Sequence, residues 1–214
     1  MKKYVSFVLI SLVGMMILSC SAPQSEDNGT DNAAIANIMS RKSVRSFTDQ
    51  DVSEEQMTAM LRCAMASPSG MNIQPWSFVV VKDKSRFEEV FGAENFNMRI
   101  FRQAAAVVVF CADTTVVRPP KDNPDAPGIV QPNRIWRDDM GACTENFLLA
   151  AESLGLGAVW TACYPYSDRM DPVRKALSLP SNVVPYCSVA VGYPANYENP
   201  KDKWKPERIH YENW

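Results

Sequence analysis

Three short stretches of this 214-residue chain gather side chains that could do chemistry. Arg41-Lys42-Ser43-Val44-Arg45 packs three cations and a hydroxyl into five residues. A phosphate monoester carries close to two negative charges and takes charge-assisted donors, which Arg and Lys beside a Ser can supply. A solvated basic turn would read the same way. The second stretch, Pro68-Ser69-Gly70-Met71-Asn72-Ile73-Gln74-Pro75-Trp76, adds hydrogen-bonding groups at Ser69, Asn72 and Gln74. Gly70 permits a backbone path that other residues resist, and Pro75 stiffens the way out. Such a turn can set donors and acceptors against the edge of a flat heterocycle, or it can be only a polar link from helix to strand. The third stretch, residues 145–160, joins an apolar helix, a glycine stop at Gly155-Leu156-Gly157 and a strand ending at Trp160. Gly157 lets another group approach the backbone closely, and plain helix–strand packing is the simpler use of it.

The elements that must position these stretches can be read from periodicity. Ala33 to Met39 reads as a short helix with Ile35, Ile38 and Met39 on one face. Ser53 with Gln56 three residues on is a capping box, and Met57, Met60, Leu61 and Ala64 continue as a helical stripe. Ser67-Pro68-Ser69-Gly70 stops that helix, and Ser77 to Val81 is a β-branched and aromatic strand. Ser85 with Glu88 repeats the capping pattern and predicts another short helix there. Ala106 to Cys111 is a second strand, and residues 113–133, rich in proline and without period, predict a long loop. Loops of that length in compact domains are often functional. Arg134 to Leu154 is the longest helix, apolar on more than one face, so it must be covered by a core or by a partner subunit. Ala158 to Cys163 and Val184 to Val191 are strands, with a helix over Asp171 to Leu177 between them. The tail from Tyr193 to Trp214, polar and aromatic with little period, is expected to lie along a surface made elsewhere. Strands separated by helices make the fold class α+β.

Taken in order, the three stretches resemble the nitroreductase family. Its members carry an Arg-Arg/Lys-Ser-x-Arg start, a Pro-Ser-Gly-x-Asn-x-Gln-Pro-Trp turn and a Leu-Gly-Leu-Gly-x-x-Trp junction, and the resemblance covers residues 33–214. It implies an α+β sandwich with a central mixed or antiparallel sheet flanked by helices, in an interlocked homodimer with an FMN in each interface cleft. Arg41, Lys42, Ser43 and Arg45 match positions that hold the FMN phosphate, ribityl chain and pyrimidine edge. Ser69 and Asn72 match positions that reach the flavin from the partner subunit. Trp160, Thr161 and Ala162 match the strand beside the reactive nitrogen. A basic residue near the C-terminus often meets the phosphate in the family; here Lys203 and Lys205 stand where Arg is more usual.

The implied activity is a ping-pong transfer of two electrons from NAD(P)H, through FMN, to a nitroaromatic, quinone or similar planar acceptor. A reductive dehalogenase, a reductase of one dedicated metabolite, or a tethered flavin relay without turnover are the alternatives. No side chain is expected to act as a catalyst, since the flavin carries the redox chemistry. The single histidine, His210, lies in the tail, and neither a nucleophile triad nor a metal-binding spacing is present.

Composition sets the surroundings. Hydrophobic residues make up 46% of the chain and the net charge is −2, values of an ordinary globular domain without the basic block that nucleic-acid binding needs. Lys2 and Lys3 precede an apolar run from Val5 to Leu18 that is short for a membrane span and right for a signal-peptide core. It ends in Ile-Leu-Ser-Cys, which resembles a bacterial lipobox with Cys20 as the lipidated first residue; an uncleaved anchor or ordinary secretion are the alternatives. Loss of residues 1–19 would leave a net charge of −4. Residues 21–32 hold almost nothing to bury and are expected to be a flexible tether, about 40 Å long if fully stretched. The sequence therefore predicts an exported, membrane-anchored lipoprotein of the bacterial envelope. That expectation conflicts with a nicotinamide donor, because pyridine nucleotides are cytoplasmic metabolites. The other five cysteines sit singly in apolar stretches without a Cys-x-x-Cys spacing, so they read as small buried hydrophobes rather than a disulfide framework or a zinc site.

Overall fold

The structure is a computed structural model and describes residues 32–214. The signal segment, Cys20 and nearly all of the tether lie outside the described residues. The folded unit begins with α1 (Ala33–Ser40), α2 (Glu54–Met65) and β1 (Trp76–Val81), followed by two short helices, α3 (Phe87–Phe91) and α4 (Met98–Phe101). Then come β2 (Ala106–Asp113), β3 (Thr115–Arg118), β4 (Ile129–Pro132) and the long helix α5 (Trp136–Ser153). β5 (Gly157–Ala162), α6 (Ser167–Ala176) and β6 (Val183–Gly192) complete it.

Four strands form one antiparallel sheet in the order β1-β2-β6-β5. Side chains alternate across it with period two. From β2, Val108 and Phe110 join Met57 and Met60 of α2 and Met140 and Phe147 of α5 on one face. Val107, Val109 and Cys111 join Phe87, Phe91, Phe101 and Val173 on the other. β2 reads as an unbroken apolar run because helices cover both its faces. Phe110 fixes one layer through edge-to-face contacts with Phe78 at 5.1 Å and Phe147 at 5.4 Å. α5 is buried from Trp136 to Ala151 along most of its turns, which explains its apolar character on more than one face.

Local chemistry sets the ends of the elements. The Ser53 hydroxyl accepts from the Gln56 N–H at 3.2 Å and the Gln56 side chain accepts from the Ser53 N–H at 3.1 Å, closing the capping box. The second expected capping pattern is different: Asp83, not Ser85, caps a 3₁₀ turn at Lys84–Arg86, and α3 follows from Phe87 without a side-chain cap. The Asp83 carboxylate outcompetes the hydroxyl by accepting from both the N–H and the hydroxyl of Ser85. The expected loop at 113–133 contains the β3–β4 hairpin. Its strands are four residues each and half or fully exposed, so they show none of the alternation that marks a strand in sequence. α6 starts at Ser167 rather than Asp171, with Pro172 inside it. Residues 195–214 are exposed, and the part of the tail nearest β6 lies along the segment after α1, with the Ala195 N–H donating to the Ser46 carbonyl at 3.0 Å.

Candidate active site

After α1 the chain runs along the outer edge of β5. Ser43 bridges Ala158 in parallel fashion, and the Val44 N–H donates to the Ala158 carbonyl at 3.0 Å. This approach needs the glycine at 157: a Cβ there would lie 2.6 Å from Val44 Cβ. The first and third sequence stretches therefore meet, through Val44 and Gly157. The result is a recess of about 170 Å³ in which Arg41, Lys42, Ser43 and Arg45 face Lys201 and Lys203, with Glu198 the one acid in the lining. Lys205 lies outside the lining, at the start of a 3₁₀ turn over Pro206–Arg208.

Acidic side chains of α5 hold two of these cations in place. Arg41 Nε pairs with Glu145 at 3.1 Å, and Lys42 Nζ pairs with Glu152 at 3.1 Å while standing over the Tyr197 ring. The Arg41 guanidinium keeps its terminal nitrogens for a ligand. The Lys42 ammonium, balanced by a carboxylate and a ring, serves first to tie the recess to α5. Arg45 is exposed; its Nη1 donates only to the Ser43 carbonyl. Their sequence signal is a charged residue within the apolar later turns of α5, at Glu145 and Glu152.

The Ser69–Gln74 turn locks itself. Ser69 Oγ accepts from the Gln74 N–H at 3.1 Å, and Asn72 Oδ1 accepts from Gln74 Nε2 at 2.9 Å. Met71, Asn72 and Gln74 all take positive φ, near 51°, 56° and 54°. Such conformations cost energy and persist where surrounding structure imposes them, often at functional sites. The expectation for Gly70 is corrected here: it is not the left-handed residue. Its lack of a side chain serves a close approach, since a Cβ would lie 1.8 Å from Ile135 Cδ1. Its N–H donates to Asp139 Oδ1 at 2.8 Å, fixing the turn to the first turns of α5. Among the described residues, Asp139 Oδ2 is buried without a partner, as are Ser67 Oγ and Asn133 Nδ2 nearby in sequence.

These anchors place the turn and the basic recess along one helix. The turn is tied to Asp139, Arg41 to Glu145 and Lys42 to Glu152, the latter two six and thirteen residues further along α5. At 1.5 Å per residue that is about 9 and 20 Å along the axis.

β5 supplies the third part. Ala158 turns its carbonyl to the outer edge, so the backbone groups of Trp160 and Ala162 face the same edge by the period of a strand. The Trp160 ring packs edge-to-face on Tyr186. Thr161 is turned inward, its hydroxyl donating to the Ser188 carbonyl at 2.7 Å. The Ala162 carbonyl accepts from Arg169 Nη1 at 3.1 Å, and Arg169 is stacked between Phe96 and Tyr166. Sequence reasoning missed Arg169, which bears no motif. Among the described residues four cysteines are buried and Cys63 is exposed; burial pushes the Cys111 and Cys143 thiols up to about 12.

The structure thus combines a helix-sheathed antiparallel sheet with a basic recess beside its edge strand. Residues 38–193 match the Nitroreductase family, and the chain belongs to that family. It is 37% identical over 180 residues to a protein of Archaeoglobus fulgidus with the provisional name NADH dehydrogenase/NAD(P)H nitroreductase, covering 83% of this chain and 96% of that one. A Bacteroides thetaiotaomicron crystal structure of the same provisional name is 40% identical, covering 86% of this chain and 99% of that one, with a TM-score of 0.74. The structure of the Vibrio harveyi NADPH:FMN oxidoreductase complexed with NAD⁺ is 26% identical, covering 86% and 78%, with a TM-score of 0.70. The α+β fold expected from sequence is the nitroreductase-like fold, with an antiparallel sheet flanked by helices.

Proposed function

We propose that this chain is an FMN-dependent oxidoreductase that works as a homodimer. It takes two electrons from a reduced donor and gives them, in a separate half-reaction, to a nitroaromatic, a quinone or a similar planar acceptor. The observation that carries this reading is the basic recess of Arg41, Ser43, Arg45 and Lys203 against the open edge of β5. Its donor set suits a phosphate monoester, and the edge beyond it offers the Trp160 backbone to a flat ring. FMN, when bound, supplies the two-electron chemistry. The chain's own residues bind and orient: Arg41 and Arg45 hold the anionic end, β5 positions the ring through its backbone, and Ser69 and Asn72 of the partner subunit close over it.

The dimer reading rests on the match of Ser69 and Asn72 to positions that reach the flavin from a partner subunit, and on exposed apolar surface. The exposed tail, with Trp204, Tyr211 and Trp214, and the exposed Ile38 and Met39 of α1 offer apolar surface for that contact. Obligate interfaces of this kind bury more than about 2,000 Å².

Subunit complementation tests the shared site. An Arg41→Ala/Arg45→Ala chain and an Asn72→Ala chain are each expected to be weak. Refolded together in equal amounts, they should form mixed dimers in half of the population, each with one intact site, restoring about a quarter of wild-type sites. No recovery on mixing would overturn the shared site. NADPH or NADH added under argon should bleach the bound flavin; a coloured flavoprotein that ignores both nucleotides would support the relay.

We also propose that the protein is exported and anchored through acylated Cys20, on the order of lysines, apolar core, serine and cysteine in residues 2–20. The electron donor would then be an extracytoplasmic substitute for NAD(P)H. Cys20→Ser should leave the flavoprotein folded but move it from the detergent phase to the aqueous phase. A wild-type intact mass that retains Met1, or lacks lipid, would refute the anchor.

A further inference from the structure

Between the β3–β4 hairpin and the Ser69–Gln74 turn lies a second recess, of about 440 Å³. That is within the range of small-molecule sites. Its apolar lining comes from Met71 and Ile73 of the turn, with Val116, Pro132 and Ile135 opposite. Its charged lining is Arg118, Lys121 and Arg134, and no carboxylate lines it. None of these three cations is ion-paired among the described residues. Asn133 also lines it. The residue is only 4% exposed, its Oδ1 accepts from the Ile135 N–H at 3.2 Å, and its Nδ2 is buried with no partner among the described residues. An orphaned buried donor costs free energy unless something accepts from it. The hairpin is braced by Gln131, whose Nε2 donates to the Arg118 and Pro119 carbonyls, so the cations sit on a fixed frame.

We propose that this recess binds the electron acceptor and selects a planar organic anion, its flat body on Met71 and Ile73 and its carboxylate toward Arg118, Lys121 and Arg134. The inference rests on the oxidoreductase reading above, because it is the Ser69–Asn72 turn that would bring the recess to the flavin. A positive recess beside a reduced ring also holds the anion where the electrons are delivered. An anionic group on a nicotinamide donor has the same chemistry, and the experiment separates the two sources.

The test uses FMN-loaded protein reduced with dithionite under argon. It is mixed with 4-nitrobenzoate or with its uncharged isostere 4-nitrobenzamide, and flavin reoxidation is followed. Each takes two electrons and two protons, giving the nitroso compound and water. The wild type should favour the carboxylate, and each of Arg118→Gln, Lys121→Gln and Arg134→Gln should lower the benzoate-to-benzamide ratio of second-order rate constants roughly 3- to 10-fold, a modest value because these cations are partly solvated. Titrating the oxidised protein with benzoate should perturb the flavin spectrum, and the variants should weaken that binding by the same factor. A ratio near one that the variants leave unchanged overturns the inference while the oxidoreductase reading stands. An unchanged ratio with a raised KM for NADPH assigns the cations to the donor and equally overturns it. Protein that takes up no FMN at all removes the oxidoreductase reading, and this inference with it.

Discussion

Substituting Gly157 by Ala tests the contact that sets the basic recess. The backbone at Gly157 does not take the left-handed conformation, so alanine is conformationally free to occupy it. Gly→Ala at a compatible site ordinarily stabilises by about 0.4–1 kcal/mol through the unfolded chain. Here the new Cβ would lie 2.6 Å from Val44 Cβ and 2.7 Å from both its methyl groups. Carbon atoms rest at about 3.5–4.0 Å, so the Val44 segment must retreat by about 1 Å. A retreat of that size stretches the Val44 N–H to Ala158 carbonyl bond from 3.0 Å beyond hydrogen-bonding range. Overpacking costs about 1–3 kcal/mol and the lost bond about 1 kcal/mol, so the expected loss is about 2–4 kcal/mol. Ser43 and Arg45 flank Val44, so FMN affinity should fall at least tenfold, about 1.4 kcal/mol. Urea unfolding gives the first quantity and FMN titration of the apo-protein gives the second. Val44→Gly removes the Cβ that is struck. The double variant should therefore be better than the sum of the singles by at least about 1 kcal/mol. A Gly157→Ala protein destabilised by less than about 0.5 kcal/mol, or additive behaviour of the pair, would refute the reasoning.

Three further outcomes are expected. Arg41→Ala and Arg45→Ala should each weaken FMN binding by about 1.5–3 kcal/mol, a factor of about 10–150, and Lys203→Ala should weaken it more than Lys205→Ala, because only Lys203 lines the recess; FMN titration measures all four. Iodoacetamide at neutral pH should modify Cys63 before Cys111, Cys143, Cys163 or Cys187 in the native protein, as read by peptide mass, because Cys63 is exposed and burial raises the pKa of the other four thiols. Asp113 should contribute to acid sensitivity. Burial raises its pKa, but hydrogen bonds from the hydroxyl and N–H of Thr115 and from Asn182 more than offset this and hold it below the ordinary carboxylate value. Its stabilisation is then complete above about pH 4 and lost as pH falls through the lowered folded-state value; the urea midpoint of Asp113→Asn should lack that component of the decline.

The sequence was most legible where local pattern and burial agree. The Ser53–Gln56 box, the apolar run of β2 and the glycine stop after α5 each state in a few residues what the fold does with them. It was least legible where burial is weak. Thr115–Arg118 and Ile129–Pro132 pair with each other at the surface, so no core imposed alternation on them, and the prolines between them looked like the whole story. Asp83 displaced Ser85 as a cap because a carboxylate accepts from two donors at once, a choice made by geometry rather than residue spacing.

The candidate site was legible by motif and illegible by arrangement. Arg41, Ser43, Arg45 and Lys203 meet in one recess, yet nothing in their spacing tells that Lys203 belongs and Lys205 does not. The roles of α5 also escape a linear reading. Asp139 near its start takes the N–H of Gly70, Glu145 takes Arg41, and Glu152 near its end takes Lys42. One buried helix thus anchors the turn and the basic recess at a fixed spacing, with Glu145 and Glu152 about 9 and 20 Å beyond Asp139 along its axis. In the proposed dimer that spacing sets where each part of the site meets its counterpart. Substitutions at Asp139 or Glu152, far from any reacting atom, would act on the site by moving one half against the other.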